Sequence, residues 1–286
     1  MRRWNKLAII AGGGELPHKL ALSCQNRGDD FVVVRLQGFA DNNLARFPGK
    51  ECNIAEIGKL IRLMKNSGCD ALVMAGVVHR PDFSSLRPDW RGAALAPKVI
   101  AAARKGDGAL LDVLVETFEA EGFLVVGAEE VSGDLFAAAG AVGSILPNDM
   151  ARADMRKASA LVRALGPFDV GQGAVVRNGF VLAIEAAEGT DKMLRRCADL
   201  PPDLRGFDPG ERPEPRGVLL KRPKPGQEMR VDLPTIGVET VRLVHECQLA
   251  GIALAADAAL IVDRELVAEE ADRRGIFVYG YQDHEL

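Results

Sequence analysis

Acidic side chains cluster in the second half of the chain. Glu185, Glu188 and Asp191 lie within seven residues, between an apolar run and a segment with helical periodicity. Carboxylates on irregular backbone are the ligands that a hard cation such as Mg²⁺ requires. A structural role is also open, because Thr190 or Asp191 can cap the helix that follows. The pattern therefore indicates either a cation site or a helix cap, or both.

A second polar segment combines basic side chains with one acid. Four cations lie within ten residues: Lys221, Arg222, Lys224 and Arg230. Such side chains suit a pyrophosphate, which carries two negative charges. Asp232 follows in an apolar run that predicts a strand over 229–233, and a carboxylate with apolar neighbours seldom lacks a partner or a function. A solvated loop and a structural ion pair of Asp232 with Arg230 remain alternatives.

Three consecutive glycines follow the first apolar run of the chain. Residues 7–11 predict a buried strand, and Pro17 suits the first turn of a helix after Gly12, Gly13 and Gly14. Glycine lets the backbone approach an anion at a helix N-terminus. The spacing matches neither the dinucleotide fingerprint nor a P-loop, and no acidic residue ends the second strand. A tight turn without a ligand explains the glycines equally well.

Arg80 follows the third predicted strand, over 71–78. Ligands of open α/β sheets collect at the carboxyl ends of strands, so Arg80 could reach a phosphate or a uracil carbonyl. A surface arginine before a turn is the simpler interpretation of this residue alone.

Strands and helices alternate through the first half of the chain. Further strands are predicted over 31–36 and 123–126, which favours a doubly wound, Rossmann-like parallel sheet. In the second half, Asn178-Gly179 between apolar runs predicts a hairpin in a mixed α/β domain. We therefore expect an α/β protein with three parts: an N-terminal domain over 1–146, a linker helix over 147–166, and a C-terminal catalytic domain over 167–286.

Composition excludes several classes of protein. A chain of 286 residues with 48% hydrophobic and 27% charged residues fits two globular domains. Its net charge of −4 argues against nucleic acid as a partner. The five cysteines form no C-x-x-C pair, which suits reduced thiols. No apolar run reaches the ~18 residues of a membrane span, so we expect a cytoplasmic protein that can touch a membrane surface.

Four segments together resemble the LpxI-type UDP-2,3-diacylglucosamine pyrophosphatase family. They are residues 11–17 (AGGGELP), 75–81 (AGVVHRP), 185–194 (EAAEGTDKML) and 221–237 (KRPKPGQEMRVDLPTIG). The resemblance spans essentially the whole chain, and the two C-terminal motifs are the specific ones. One departure is Glu228, where the family pattern has aspartate after glutamine.

The resemblance implies a chemistry and a set of site residues. The family is expected to use Mg²⁺ and to hydrolyse its lipid-linked UDP-sugar to UMP and 2,3-diacylglucosamine 1-phosphate (lipid X) for lipid A biosynthesis. A homodimer in peripheral contact with the inner membrane is also expected. Asp232 matches the essential acid, and Asp191 and Asp232 are the expected metal ligands. The expected substrate-binding residues are Gly13, Gly14, Arg80, Glu185, Glu188, Thr190, Lys221, Lys224, Gln227 and Arg230.

The residues alone leave other functions open. Neither a G-x-S-x-G elbow nor a Cys–His pair is evident, so no covalent nucleophile is predicted. A nucleotide-sugar oxidoreductase, a non-catalytic module that binds lipid or nucleotide, and a structural assembly protein are the alternatives. Nicotinamide-dependent turnover would identify the first, ligand binding without a Mg²⁺-dependent product the second, and a folded protein without a small-molecule ligand the third.

Overall fold

The computed structural model describes residues 3–79, 86–205 and 216–286. The chain folds as two compact units. The first comprises Met1–Gly133 and, from far along the chain, Glu228–Asp232. The second comprises Asp134–Gln227 and Leu233–Leu286.

The first unit contains a parallel sheet. Its strands are β1 (Leu7–Ala11), β2 (Phe31–Leu36), β3 (Gly49–Cys52), β4 (Ala71–Ala75) and β5 (Leu124–Val125). Its helices are α1 (Glu15–Arg27), α2 (Ile57–Asn66), α3 (Trp90–Ala103), α4 (Asp107–Ala120) and α5 (Ala128–Val131). The strand order is β3-β2-β1-β4-β5, and every neighbouring pair is parallel. The predicted Rossmann-like sheet is confirmed.

Helices cover this sheet because its central strands are apolar on both faces. All five residues of β1 are buried. Alternate residues of β1 and β2, such as Ala8 and Val34, pack with Leu60 of α2 and Phe118 of α4 in one core cluster. Strand β3 was not predicted, since its sequence GKEC has three exposed residues and no β-branched side chain.

The second unit contains a mixed sheet. Its strands are β6 (Gly140–Ala141), β7 (Gly173–Arg177), β8 (Phe180–Ile184), β9 (Val218–Lys221), β10 (Thr235–Ile236), β11 (Gly251–Ala255), β12 (Leu260–Ile261) and β13 (Phe277–Tyr281). Its helices are α6 (Asp149–Leu165), α7 (Thr190–Ala198), α8 (Val238–Glu246) and α9 (Arg264–Arg274). The main sheet has the order β6-β13-β11-β9-β7-β8, and β10 pairs with β12. Strands β9, β11 and β13 are parallel, whereas β7 is antiparallel to both of its neighbours.

The predicted hairpin joins β7 to β8. Asn178 and Gly179 have φ values of 49° and 78°, the left-handed pair that a two-residue type I′ turn needs. The buried carboxylate of Asp154 accepts both turn N–H groups, at 3.0 and 2.8 Å. The turn is thereby held by α6 as well as by its own sequence.

Helix α6 begins where the sequence predicts it. Asn148 caps it and accepts the Ala151 N–H at 2.9 Å. Its buried face, which includes Met155 and Val162, packs on β7 and β9 in one core cluster of the second unit. The contacts therefore place α6 in that unit, while its role as a connector between rigid bodies stays a prediction.

The predicted strand over 229–233 is wrong. Residues 229–231 form a turn and residues 232–233 are irregular. The N–H groups of Val231 and Asp232 donate to the Glu228 carbonyl at 3.3 and 3.2 Å. Val231 packs against the core of the first unit. Tertiary contacts therefore override the alternating pattern of MRVDL.

None of the described helices is long and apolar enough to cross a membrane.

Candidate active site

Strands β8 and β9 end at the same edge of the second sheet. Because β7 is antiparallel to both, β8 and β9 run in one direction and their carboxyl ends meet there. Glu185 follows β8, and Lys221 is the last residue of β9. Lys221 is only 4% exposed, so its ammonium group requires partners inside the protein.

Those partners form the Glu185–Thr190–Lys221 chain. Lys221 Nζ donates to Thr190 Oγ1 at 2.7 Å and to the Thr235 carbonyl at 3.2 Å. Thr190 Oγ1 donates in turn to Glu185 Oε1 at 2.9 Å. Glu185 Oε2 is buried and has no hydrogen-bond partner within the described residues. A hydroxyl thus links a cation to a carboxylate that has one oxygen unused. Three predicted site residues are brought together here.

The N-terminus of α7 differs from the predicted cap. Gly189 is the N-cap, with φ 79°, and no side chain caps the helix. The prediction that Thr190 or Asp191 caps it is wrong, because the Thr190 hydroxyl bonds to Glu185 and Lys221 instead. Asp191 is exposed in the first turn of the helix.

Glu188 is engaged in an ion pair. Its Oε1 lies 2.7 Å from Arg196 Nη2. The hydrogen bond from Arg196 holds the pKa of the Glu188 carboxyl below its usual value. Glu188 is therefore a carboxylate with a protein partner, and its contact with substrate stays a prediction.

Lys224 and Gln227 shape the turn after β9. Lys224 Nζ pairs with Asp169, and its side chain is 9% exposed. The Gln227 Oε1 atom accepts the Lys224 N–H at 2.9 Å, whereas its Nε2 is buried without a partner in the described structure. The turn thus presents one amide donor that an incoming acceptor could use. The sequence did not predict Asp169 as a partner of Lys224. Asp169 directly follows a Gly-Pro-Phe turn and has a φ of 54°.

The glycine turn of the first unit is tied to the end of β4. Gly12 donates to the Ala75 carbonyl at 2.8 Å, and Gly13 exchanges two backbone bonds with Val77 at 2.9 and 2.8 Å. A Cβ on Gly12 would lie 2.6 Å from the Val77 carbonyl. Packing alone therefore requires glycine there, as the simpler interpretation held, and phosphate binding by Gly13 and Gly14 stays a prediction.

Asp41 is a residue of this turn that the sequence did not reveal. Its Oδ2 accepts the Gly14 N–H at 2.9 Å. It lies beyond the end of β2, after a three-residue turn and Ala40, so a search for an acid at the strand end misses it. A carboxylate at this position is suited to ribose hydroxyls rather than to phosphate.

Arg230 bonds to two carboxylates of the first unit. Its Nε and Nη2 donate to Glu228 at 2.9 and 2.7 Å, and Nη1 donates to Glu119 at 2.7 Å. These hydrogen bonds lower the pKa of Glu228. Arg230 and Glu228 therefore fix the turn that carries Asp232. Contact of Arg230 with substrate stays a prediction. Arg80 lies outside the described residues.

Known proteins match this chain from end to end. Residues 6–135 match the LpxI N-terminal domain, and residues 138–279 match the LpxI C-terminal domain. The chain belongs to the LpxI family. One LpxI relative, named UDP-2,3-diacylglucosamine pyrophosphatase LpxI, comes from Caulobacter vibrioides. It is 50% identical over 281 residues, which cover 98% of this chain and 99% of the relative. The resemblance of the four motifs is thereby confirmed.

The oxygen ligands of this LpxI-family chain decide whether it can hold magnesium. No cluster of three or more His, Cys, Asp or Glu side chains that could hold a metal occurs among the described residues. Mg²⁺ commonly binds through only one or two carboxylates, together with waters and substrate phosphates. Exposed Asp191 and partly exposed Asp232 supply that chemistry. Each residue by itself fits an ion that binds together with the substrate, and the assignment of both as ligands is a proposal.

Proposed function

We propose that this protein hydrolyses the pyrophosphate bond of UDP-2,3-diacylglucosamine and releases UMP and 2,3-diacylglucosamine 1-phosphate. The observation that carries the proposal is the 50% identity, over 98% of the chain, to a relative named for that activity. The oxidoreductase, binding-module and assembly-protein alternatives have no comparable support. Incubation of the purified protein with this substrate, followed by chromatographic detection of UMP, tests the proposal directly.

The arrangement of the second unit suits a phosphoanhydride. Its hydrolysis depends on neutralised charge and a positioned water more than on covalent chemistry. Lys221 is held in place by two acceptors, so its ammonium group is oriented before substrate arrives. Gln227 Nε2 can donate to a phosphate or sugar oxygen. For Asp232, a residue of the first unit, the proposed role is to orient the attacking water or to share in holding the metal. When bound, Mg²⁺ would offset the negative charge of the phosphates.

Removal of magnesium is expected to abolish UMP release. The reason is that two of the predicted cations, Lys224 and Arg230, already bind carboxylates and so have less charge to offer a pyrophosphate. UMP release should be measured in excess EDTA and again after Mg²⁺ is restored. Full activity with the chelator in excess would remove the metal from the mechanism.

UDP-N-acetylglucosamine is expected to be a much poorer substrate, with kcat/KM lower by more than tenfold. Each buried methylene contributes about 0.8 kcal/mol, so two long acyl chains can dominate discrimination. That binding energy can also position the pyrophosphate. Competition between the two compounds in one reaction measures the ratio. Equal kcat/KM values would contradict a lipid-binding site.

The lipid substrate implies two further properties, which are also proposals. A diacylated sugar resides in a membrane, so the enzyme must contact a membrane surface transiently from the cytoplasmic side. A homodimer is proposed from family resemblance. Vesicle co-sedimentation measures the membrane contact, and light scattering measures the mass of the dimer.

A further inference from the structure

Arg35 is a charged residue inside the first sheet. Alternate β2 residues Val32, Val34 and Leu36 face one core cluster, so Arg35 projects from the opposite face. In the parallel register it pairs with Ala11 on β1 and with Glu51 on β3. Neighbouring strands lie about 4.8 Å apart, which places Arg35 beside the residue that immediately precedes the glycine turn.

Two nitrogen atoms of the Arg35 guanidinium lie buried. Its Nε and Nη1 atoms are buried and have no hydrogen-bond partner among the described residues. Arginine stays protonated in proteins, so it cannot relieve burial by losing its charge. Glu51, the nearest acid by register, is exposed and bonds to neither atom. Buried charged donors without an acceptor are rare enough to require an explanation.

The position of Arg35 supplies an explanation for its donors that are unpaired within the described residues. The carboxyl ends of parallel strands form the ligand-binding edge of open α/β sheets, and Arg35 is the penultimate residue of β2. In dinucleotide-binding domains of this topology, an arginine near this strand end takes the 2′-phosphate of NADP, so a guanidinium at this edge can reach a phosphate of a bound nucleotide. Asp41 already accepts the Gly14 N–H, so negative charge occupies the glycine turn itself. Electrostatics therefore favours Arg35 over the glycines as the contact for an anion.

We infer that Arg35 binds a phosphate of the uridine nucleotide portion of the substrate, with Asp41 on the ribose side. This assignment rests on the proposed function for the identity of the nucleotide. It makes Arg35 a binding residue of the first unit that none of the four family motifs contains. A phosphate oxygen that accepts from the guanidinium would satisfy one of these two donors with a charge-assisted hydrogen bond.

Binding of UMP to the Arg35→Met protein tests the inference without turnover. Methionine keeps the length and apolar stem but removes the charge. The Kd for UMP, measured by titration calorimetry, is expected to rise by about 10- to 100-fold, the effect of one charge-assisted group. The Kd of Arg35→Lys should fall between those of the wild type and Arg35→Met, since lysine keeps the charge but lacks the planar guanidinium. Lys50→Met removes an exposed cation from the adjacent strand β3 and should bind UMP like the wild type.

A second ligand separates phosphate contact from base contact. Uridine lacks the phosphate and should bind more weakly than UMP. Its Kd should be the same for the wild type and for Arg35→Met. An equal loss for UMP and uridine would overturn the phosphate assignment. So would wild-type UMP affinity in a folded Arg35→Met protein with lowered Tm, the pattern of a structural pair with Glu51. Absence of UMP binding to the wild type would overturn it as well.

The test is independent of catalysis. If UMP binding depends on Arg35 but no UDP-2,3-diacylglucosamine is hydrolysed, the nucleotide site stands and the proposed function fails. If hydrolysis occurs, KM for that substrate should rise in Arg35→Met more than kcat falls. A fall confined to kcat contradicts a binding role.

Discussion

An Asp232→Asn protein is expected to fold normally and to lose about 10²–10⁴-fold in kcat, the usual contribution of a general base. Asparagine keeps the shape of the side chain and removes its charge, so it is a poor base and a weaker ligand for Mg²⁺. Contacts other than those of the carboxylate also hold the backbone of the turn. The Asp232 N–H donates to the Glu228 carbonyl at 3.2 Å, and Arg230 bridges Glu228 and Glu119.

Tm and kcat must be measured on one preparation of this variant. Asp112→Asn is the matched control, since Asp112 is exposed on α4 of the same unit and should leave both values unchanged. If the role of Asp232 is purely structural, Asp232→Asn should lower Tm and leave the folded fraction fully active. Wild-type kcat in a well-folded Asp232→Asn protein would falsify the catalytic assignment.

The strongest elements of the fold could be read from the sequence. Strands β1 and β2 have the predicted bounds, because continuous apolar runs of that length are typical of strands buried on both faces. The Asn178-Gly179 hairpin was predictable for a local reason, since its turn type is set by two residues. The short strands β6 and β10 were missed because two residues carry no periodic signal.

The turn of Asp232 could not be predicted from local pattern. MRVDL alternates as a strand does, yet its apolar and charged residues are satisfied by partners more than 100 positions away, such as Glu119. No periodicity encodes such a partner. The same holds for Thr190, which is a good helix cap by residue type but lies within reach of Lys221 and Glu185. Sequence therefore identified residue types of the site better than their roles.

Lys221→Met is expected to reduce the free energy of unfolding by about 1–3 kcal/mol, the cost of leaving buried hydrogen-bonding groups without their donor. Met fills most of the volume, so little of the loss comes from a cavity. The loss arises because the Thr190 hydroxyl and the Thr235 carbonyl would each lose the Lys221 donor, and the Glu185 carboxylate would lose the nearby positive charge. Lys192→Met, on the exposed face of α7, is the control and should change stability by less than about 0.5 kcal/mol.

A double variant separates the charge from the packing. Glu185→Gln combined with Lys221→Met removes both charges, and it should recover most of the stability lost in Lys221→Met. Denaturant unfolding of the wild type, the two single variants and the double variant gives the coupling energy between Glu185 and Lys221. The double variant should remain inactive, because an amide and a thioether cannot neutralise a pyrophosphate. Recovery of UMP release together with stability would show that Lys221 only supports the fold. Additive losses would instead show that Glu185 and Lys221 are not coupled through Thr190.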